Sequence, residues 1–316
     1  MAAPSEAIEQ RELAAGGERQ TFGDRVRVFV PRIPLHLVLV AVIVLWSVPT
    51  IALLISSFRE PQLISSSGWW NALTPPWDFT WSNYDAVLNQ RGMGRAFVNS
   101  LLITIPVTLL VLFVASMAAY AIAWMEFPAR NVLFLVMVAL LVVPLQMTLI
   151  PVLRLYSTLE VDVEVPIIGG KLFGTSSYAG IWLAHTAYGL PFAIFLLRNF
   201  FGSLPRDLFE SAYLDGASDL RVFFSIVLPL SMPALAALAI FQFLWTWNDL
   251  LVALILLGDP ELAPMTLRIT SLVSSFGSSY QLLTAAAFVS MAVPLLIFFA
   301  LQRYFVQGIL AGAVKG

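Results

Sequence analysis

Six long apolar stretches dominate this sequence and decide what it can fold into. An α-helix needs about 20 residues to cross a hydrocarbon core ~30 Å thick, and each stretch reaches that length. They are Leu35–Ile55, Phe97–Ala123, Asn131–Leu153, Tyr178–Phe200, Pro233–Leu257 and Leu282–Tyr304. Only 11% of the 316 residues are charged, whereas soluble domains carry about 25%. The sequence therefore predicts an all-α integral membrane protein with six transmembrane helices.

The polar residues exclude several classes of protein. The 17 basic and 19 acidic residues nearly balance, so a surface for nucleic acid is not expected. The chain has no cysteine, which excludes disulfides and thiolate sites. Its 2 histidines are too few for most histidine-based metal sites, so no metal site is expected. Residues 1–34 are polar and of mixed charge, so they do not read as a secretory signal peptide.

The distribution of basic residues predicts how the chain is oriented in the membrane. If the N-terminus is cytoplasmic, eleven Lys and Arg residues lie inside and six lie outside, which agrees with the excess of positive charge in cytoplasmic segments. Residues 1–34 and 305–316 are then cytoplasmic. The loop 56–96 is extracytoplasmic, and its tryptophans and prolines suit either anchoring at the lipid interface or docking of an external partner.

The segment 203–229 between the fourth and fifth spans carries the most informative pattern. Pro205 suits the first turn of a helix, and Gly216 can end that helix in a left-handed conformation. Ser218 can cap the helix that follows. Apolar residues recur at helical spacing in the first helix: Leu208, Phe209, Ala212 and Tyr213. The pattern predicts two helices joined by a glycine turn, with an apolar face in an otherwise polar cytoplasmic loop.

This segment resembles the coupling loop of the permease subunits of ABC importers. Their consensus is Glu-Ala-Ala, three residues, Gly, nine residues, Ile, any residue and then Leu-Pro. The matching positions here are Glu210, Ser211, Ala212, Asp215, Gly216, Ile226, Leu228 and Pro229, where Asp215 is the residue directly before the glycine. Every spacing fits, and the one departure is the serine at 211, which is as small as the alanine it replaces. The resemblance implies that these residues couple the motion of an ATPase to the membrane helices.

Other segments are similar to the maltose-type carbohydrate permeases, specifically to the second, smaller of their two permease subunits. They are Phe97-Val-Asn-Ser100, Tyr120-Ala-Ile-Ala-Trp124, Trp245-Thr-Trp-Asn-Asp249 and the ending 302–316. Pro144-Leu-Gln-Met147 and Gly202-Ser-Leu-Pro205 resemble the α-glucoside branch. The resemblance implies the type I ABC importer permease fold, with a permease core at 97–304. It also implies that a Gly-rich cytoplasmic tail reaches the ATPase through Gln307, Gly308, Gly312 and Lys315.

The resemblance further implies a division of labour between several chains in the inner membrane of a prokaryote. The partners are a homologous larger permease, two copies of a cytoplasmic ATPase, an extracytoplasmic sugar-binding protein and the surrounding lipid. Gly169-Gly-Lys-Leu172 lacks the first glycine and the hydroxyl of a phosphate-binding loop. We therefore expect this chain to bind no cofactor and to be no enzyme, with ATP and Mg²⁺ bound by the partner ATPase.

Polar residues inside the spans are candidates for the substrate pathway, because charges are costly at membrane depth. On a continuous fifth helix, positions 242, 245, 246 and 249 share one face. Amides and carboxylates suit sugar hydroxyls, and indole rings cover apolar C–H patches. The candidates are Gln242, Trp245, Trp247, Asn248, Asp249 and, in the fourth span, His185. These side chains either line a pathway or form hydrogen bonds between helices.

Three other functions compete with carbohydrate import. A coupling loop is common to ABC permeases, so another solute fits it equally well. An ion-driven secondary transporter would show inverted repeats and more buried ionisable residues. An intramembrane enzyme would need a motif such as His-Glu-x-x-His or Gly-x-Ser-x-Gly, and the sequence has neither.

Overall fold

The computed structural model describes residues 33–90, 92–166, 170–275 and 280–313. Nearly all of this part of the chain is helical. The helices are α1 (Ile33–Ser57), α2 (Pro61–Ser66), α3 (Ser82–Asp85), α4 (Met93–Trp124), α5 (Arg130–Leu140), α6 (Leu145–Thr158), α7 (Tyr178–Phe201), α8 (Arg206–Leu214), α9 (Asp219–Val222), α10 (Leu228–Leu230), α11 (Met232–Trp247), α12 (Leu251–Leu256), α13 (Met265–Ser275) and α14 (Tyr280–Ala313). One antiparallel hairpin is formed by β1 (Val161–Glu164) and β2 (Lys171–Phe173).

Among the described residues, four helices are long and apolar enough to cross a membrane as single rods: α1, α4, α7 and α14. Two pairs of helices are long and apolar enough only when taken together, and each pair is bent: α5 and α6 by 102°, and the stretch Asp219–Leu230 with α11 by 77°. Counting each pair as one span gives six, which confirms the all-α, multi-span fold class.

Proline explains where the bends fall. Pro144 precedes α6 and adopts an extended conformation, and proline disfavours helical conformation in the residue before it. Pro229 and Pro233 stand on either side of the second bend, at the starts of α10 and α11. Since a proline has no backbone N–H to donate to the preceding turn, the helix direction can change at these points.

Two boundaries differ from the sequence expectations. The predicted fifth span, 233–257, breaks after Trp247 because Asn248 and Asp249 engage nearby backbone groups with their side chains. The predicted last span ends at Tyr304, but α14 continues to Ala313. Glycine costs only about 1 kcal/mol in a helix interior, so the glycines after Tyr304 do not end the helix.

The chain divides into two compact units, Met1–Ile55 and Ser56–Gly316. In the first unit, α1 exposes apolar side chains, including Trp46 at 78%, which suits a helix surrounded by lipid.

In the second unit, α4 is the central element and packs most extensively against α7. Three apolar clusters lie along it, around Ala115 and Ala119, around Ile103, and around Met93 and Ala96. Small side chains at such positions let helix backbones approach closely.

Candidate functional site

The segment 203–229, called the coupling loop after its sequence resemblance, contains α8, which ends in a Schellman turn. The Gly216 N–H donates to the Tyr213 carbonyl and the Ala217 N–H donates to the Ala212 carbonyl, both at 3.0 Å. Gly216 has φ +77°, a conformation that side chains with a Cβ resist. A Cβ built at Gly216 would meet no atom within 4 Å. The glycine is therefore required by backbone conformation and not by lack of space.

The second half of the loop starts at a capped helix, as the sequence predicts. The Ser218 hydroxyl accepts a hydrogen bond from the Arg221 N–H at 3.4 Å, and Asp219 lies in the first turn of α9. Both residues favour a helix N-terminus. The Ser218 hydroxyl satisfies a free backbone N–H, and the negative charge of Asp219 is stabilised by the positive end of the helix dipole. Together the Schellman turn and the cap fix the angle between the two helices.

A stacked aromatic pair anchors the loop to the membrane helices. The Phe209 ring, 2% exposed, lies 3.6 Å from the Trp124 ring centroid and nearly parallel to it. The Trp124 indole Nε1 also donates to the Phe201 carbonyl at 3.0 Å. One tryptophan therefore joins the end of α4, the end of α7 and α8.

A chain of hydroxyl groups makes a second attachment. The Tyr213 hydroxyl donates to the Asp219 carboxylate at 2.8 Å and lies 3.3 Å from the Tyr120 hydroxyl on α4. Burial raises the pKa of the Tyr213 hydroxyl above its usual 10.0. The phenol therefore keeps its proton and remains a donor to Asp219.

The matched coupling residues divide into exposed and half-buried sets. Glu210, Ser211, Asp215, Gly216 and Pro229 are exposed, whereas Ala212, Ile226 and Leu228 pack against the apolar cluster.

The apolar face of α8 is split, which the helical period alone does not reveal. Phe209 turns into the core, while Leu208 stays 41% exposed and Leu214 89% exposed. The second half of the loop also presents apolar side chains, with Leu220 63% exposed and Phe224 54% exposed. The coupling loop therefore carries an uncovered apolar surface in addition to its buried anchor.

Asp249 holds the break between α11 and α12. Its carboxylate accepts the N–H groups of Val252 at 3.3 Å and Ala253 at 3.1 Å, so it satisfies free donors in the first turn of α12. Its carbonyl accepts the Thr266 hydroxyl at 2.6 Å. The His185 Nε2 lies 3.6 Å from the carboxylate. These contacts are internal to the chain and tie the fourth and fifth spans to α13.

The other candidates in the fifth span have different surroundings, and Asn248 and Asp249 lie after the end of α11 at Trp247. Gln242 is buried and donates to the Thr246 hydroxyl at 3.1 Å, and a Cβ at Gly189 would come within 2.7 Å of its Oε1. Trp247 is buried and donates to the Ser290 carbonyl at 3.1 Å. Trp245 is 46% exposed. Trp247 therefore joins α11 to α14 by a hydrogen bond, Gln242 packs closely against α7, and Trp245 faces outward.

Asn248 is the candidate that reaches a sizeable cavity. This large cavity has a volume of about 570 Å³ and is lined mostly by apolar atoms. Its polar lining comes from Asn248, Thr266, Thr270 and Ser290. Ser290 lies on α14, inside the predicted last span, and is not among the sequence candidates. Thr266 and Thr270 were not predicted because α13 is only 11 residues long and gives no span signal. Its threonines, spaced four apart on a short amphipathic helix, are the signal that could have found them.

A strap formed by residues 257–266 is tied to the opposite end of α4 from the coupling loop. The Asn99 amide donates to the carbonyls of Glu261 at 2.8 Å and Ala263 at 3.1 Å. The Ser100 hydroxyl accepts the Met265 N–H at 2.9 Å, and Tyr178 donates to Asn99 at 2.8 Å. This buried network fixes the strap against α4 and α7.

The predicted C-terminal contacts with an ATPase fall in or beyond α14. Gln307, Gly308 and Gly312 lie within the helical backbone of α14, and Lys315 lies outside the described residues.

Comparison with known proteins gives one clear family match. The model for "Binding-protein-dependent transport system inner membrane component" matches residues 111–311. The osmoprotective compounds uptake permease protein GgtD of Synechocystis sp. is 51% identical over 91% of this chain and 93% of its own length. The alpha-glucoside transport system permease protein AglG of Rhizobium meliloti is 55% identical over 78% of this chain, which spans 62% of AglG.

A solved structure shares the fold. It is a bacterial ABC transporter involved in the import of the acidic polysaccharide alginate, with a TM-score of 0.67 and 19% sequence identity over 90% of this chain and 98% of the other. This likeness supports the type I importer permease fold. Because the family model covers well over half of the sequence and includes the whole coupling loop, the chain belongs to the family of binding-protein-dependent transport system inner membrane components.

Proposed function

We propose that the chain is the smaller permease subunit of an ATP-driven importer for a carbohydrate of the α-glucoside type. The coupling loop is the observation that carries this proposal. It combines a Schellman turn at Gly216, a buried anchor at Phe209 and an exposed apolar surface around Leu214. A helix that is fixed to the membrane helices on one side and uncovered on the other suits docking in a groove of a cytoplasmic ATPase.

The solute class is supported by the similarity to AglG and by the large cavity. Asn248, Thr266, Thr270 and Ser290 offer amide and hydroxyl groups in a mostly apolar concavity, a combination that suits sugar hydroxyls and C–H faces. We assign this cavity to one wall of the translocation pathway. A homologous larger permease supplies the other wall, two copies of the ATPase bind ATP and Mg²⁺, and an extracytoplasmic binding protein delivers the sugar.

The orientation is part of the same proposal. The Lys and Arg bias supports a cytoplasmic N-terminus and coupling loop, and the strap and hairpin are then extracytoplasmic.

The experiment is a deletion of this chain in its host, followed by uptake of radiolabelled maltose and trehalose. Uptake of at least one of them should be lost and should return with the wild-type chain but not with Gly216→Pro. A second candidate solute class, osmoprotective compounds, is favoured by the similarity to GgtD. If the deletion spares both sugars and abolishes uptake of glycine betaine at high salt, that class replaces the carbohydrate.

A further inference from the structure

The loop between the first two spans contains a polar cavity of about 270 Å³ that the coupling mechanism does not use. Its polar lining is formed by Arg59, Ser67, Asn71, Thr74 and Asp78. Arg59 lies between α1 and α2, Ser67 directly follows α2, Asn71 lies in the turn 69–73, and Thr74 and Asp78 follow that turn.

The central residue of this polar cavity is a buried arginine. Arg59 is 3% exposed, and its guanidinium donates to the Gly68 carbonyl at 3.1 Å and to the Ser67 hydroxyl at 2.6 Å. Within the described ranges, no carboxylate lies within ion-pair distance of it. Burying a cation is costly unless it is paired or well hydrogen-bonded. The loop supplies these hydrogen bonds, and the guanidinium is held in place while it still lines the cavity.

The frame around the cavity is rigid. The buried Asn83 amide donates to the carbonyls of Ser57 and Arg59, both at 2.9 Å. The Thr80 N–H donates to the Phe58 carbonyl at 2.7 Å, which closes the segment back onto the end of α1. A site whose walls are held by such buried hydrogen bonds loses little freedom when a ligand binds.

The charges in the cavity indicate a neutral ligand. Arg59 and Asp78 contribute one positive and one negative charge to the same lining. An anion would meet the carboxylate of Asp78, and a cation would meet the guanidinium of Arg59. A polyhydroxy compound can accept from the guanidinium and from Asn71 while it donates to the carboxylate.

Aromatic residues flank the polar cavity in the chain. Trp77 lies between two lining residues and is 66% exposed, and Trp70 directly precedes Asn71 and is 61% exposed. Indole faces cover the apolar C–H surface of a sugar ring. The volume of about 270 Å³ lies just below the ~300–1,000 Å³ of drug-sized sites and suits a single sugar ring.

We propose that the Arg59–Asp78 cavity is a second sugar-binding site, which holds one ring of a neutral sugar on the extracytoplasmic side before it enters the membrane. This site rests on the proposed function, because it takes the same class of solute. It is separate from the large cavity, which is lined by residues 248–294.

The test uses the purified full-length chain with its partner permease and ATPase in lipid nanodiscs, without the binding protein. Saturation-transfer difference NMR with maltose should give a saturable signal. Asp78→Asn and Arg59→Lys should each weaken the apparent affinity roughly tenfold or more, the effect of losing one charge-assisted hydrogen bond. Asp85→Asn is the matched control, because Asp85 is exposed on the same loop, bonds Asn89 and lies outside the cavity, and it should leave the affinity unchanged.

The possible outcomes separate this proposal from the proposed function. An unchanged signal in both Asp78→Asn and Arg59→Lys would overturn the second site while sugar uptake in cells stays intact. Tighter binding of galacturonate than of maltose would also overturn it, in favour of an anion site. Absence of sugar uptake by the wild-type system would instead contradict the proposed function. Because Asp78 is exposed, its variant should fold even if Arg59→Lys does not.

Discussion

Replacing Asp249 by alanine should destabilise the break in the fifth span and lower sugar uptake without preventing assembly. The variant removes the acceptor for two backbone N–H groups, at 3.3 and 3.1 Å, and leaves His185 without the carboxylate at 3.6 Å. Loss of a helix-capping side chain costs about 1 kcal/mol and up to about 2, and the charge opposite the helix dipole adds several tenths. We therefore expect a loss of about 2 kcal/mol.

That loss corresponds to a decrease in Tm of roughly 4–8 °C for a unit of this size. The assay is thermal unfolding of the purified complex together with radiolabelled maltose uptake at limiting and saturating sugar. Asp249→Asn keeps one acceptor oxygen and should show a smaller effect. Asp259→Ala is the matched control, because its carboxylate also caps a helical turn, accepting the Glu261 N–H at 2.8 Å, but this hydrogen bond is exposed. An unchanged Tm and unchanged uptake in Asp249→Ala would refute the reasoning.

Three further changes test other parts of the structure. Gly216→Pro should uncouple ATP hydrolysis from the sugar-loaded binding protein, since proline cannot adopt φ +77°. Gly216→Asn should keep most coupling because asparagine tolerates that conformation, and equal ATPase stimulation in both variants would contradict the prediction. Phe209→Ala should lower the free energy of unfolding by about 3 kcal/mol and loosen the coupling loop, which should then be cleaved faster by a protease. An unchanged cleavage rate would show that Phe209 does not anchor the loop. The Lys171 ammonium donates to Glu160 at 2.6 Å and lowers the pKa of that carboxyl. The stabilisation that this ion pair gives the hairpin is complete above pH 4.5, the ordinary pKa of the carboxyl, and is lost as the pH falls through the lowered pKa. The protection of the hairpin amides from hydrogen exchange, measured relative to their intrinsic exchange rates at each pH, should therefore fall in acid, and Lys171→Met should abolish that dependence.

Local chemistry made the coupling loop predictable. The left-handed turn depends on one glycine, and the second helix depends on a serine one residue beyond the turn. Both effects act within a few residues, so spacing in the sequence was enough to place them. The sequence does not show which residues of other helices pack against each side of α8. Phe209 and Leu208 are adjacent and equally apolar, and only the position of Trp124 decides which of them is buried.

The break after Trp247 was hidden for a different reason. Hydropathy stays high on both sides of it, so the apolar stretch reads as one span. The structure breaks it because Asp249 finds its partners in α12, in Thr266 and in His185, which are up to 64 positions away. The burial of Arg59 could not be predicted either, since a single arginine in a polar loop is usually exposed and only the folded structure shows what surrounds it.

The two ends of α4 are held by segments on opposite sides of the second unit's core. Trp124 and Tyr120 join one end to the coupling loop, and Asn99 and Ser100 join the other to the strap. At 32 residues, with Pro106 inside it, the helix is about 48 Å long and continuous between the two attachments. A displacement at one end therefore arrives at the other as tilt or translation, without a relay of side chains through the middle of the membrane. Substitutions at outward positions such as Leu109, 61% exposed, would change the surface of this rod without interrupting the transmission.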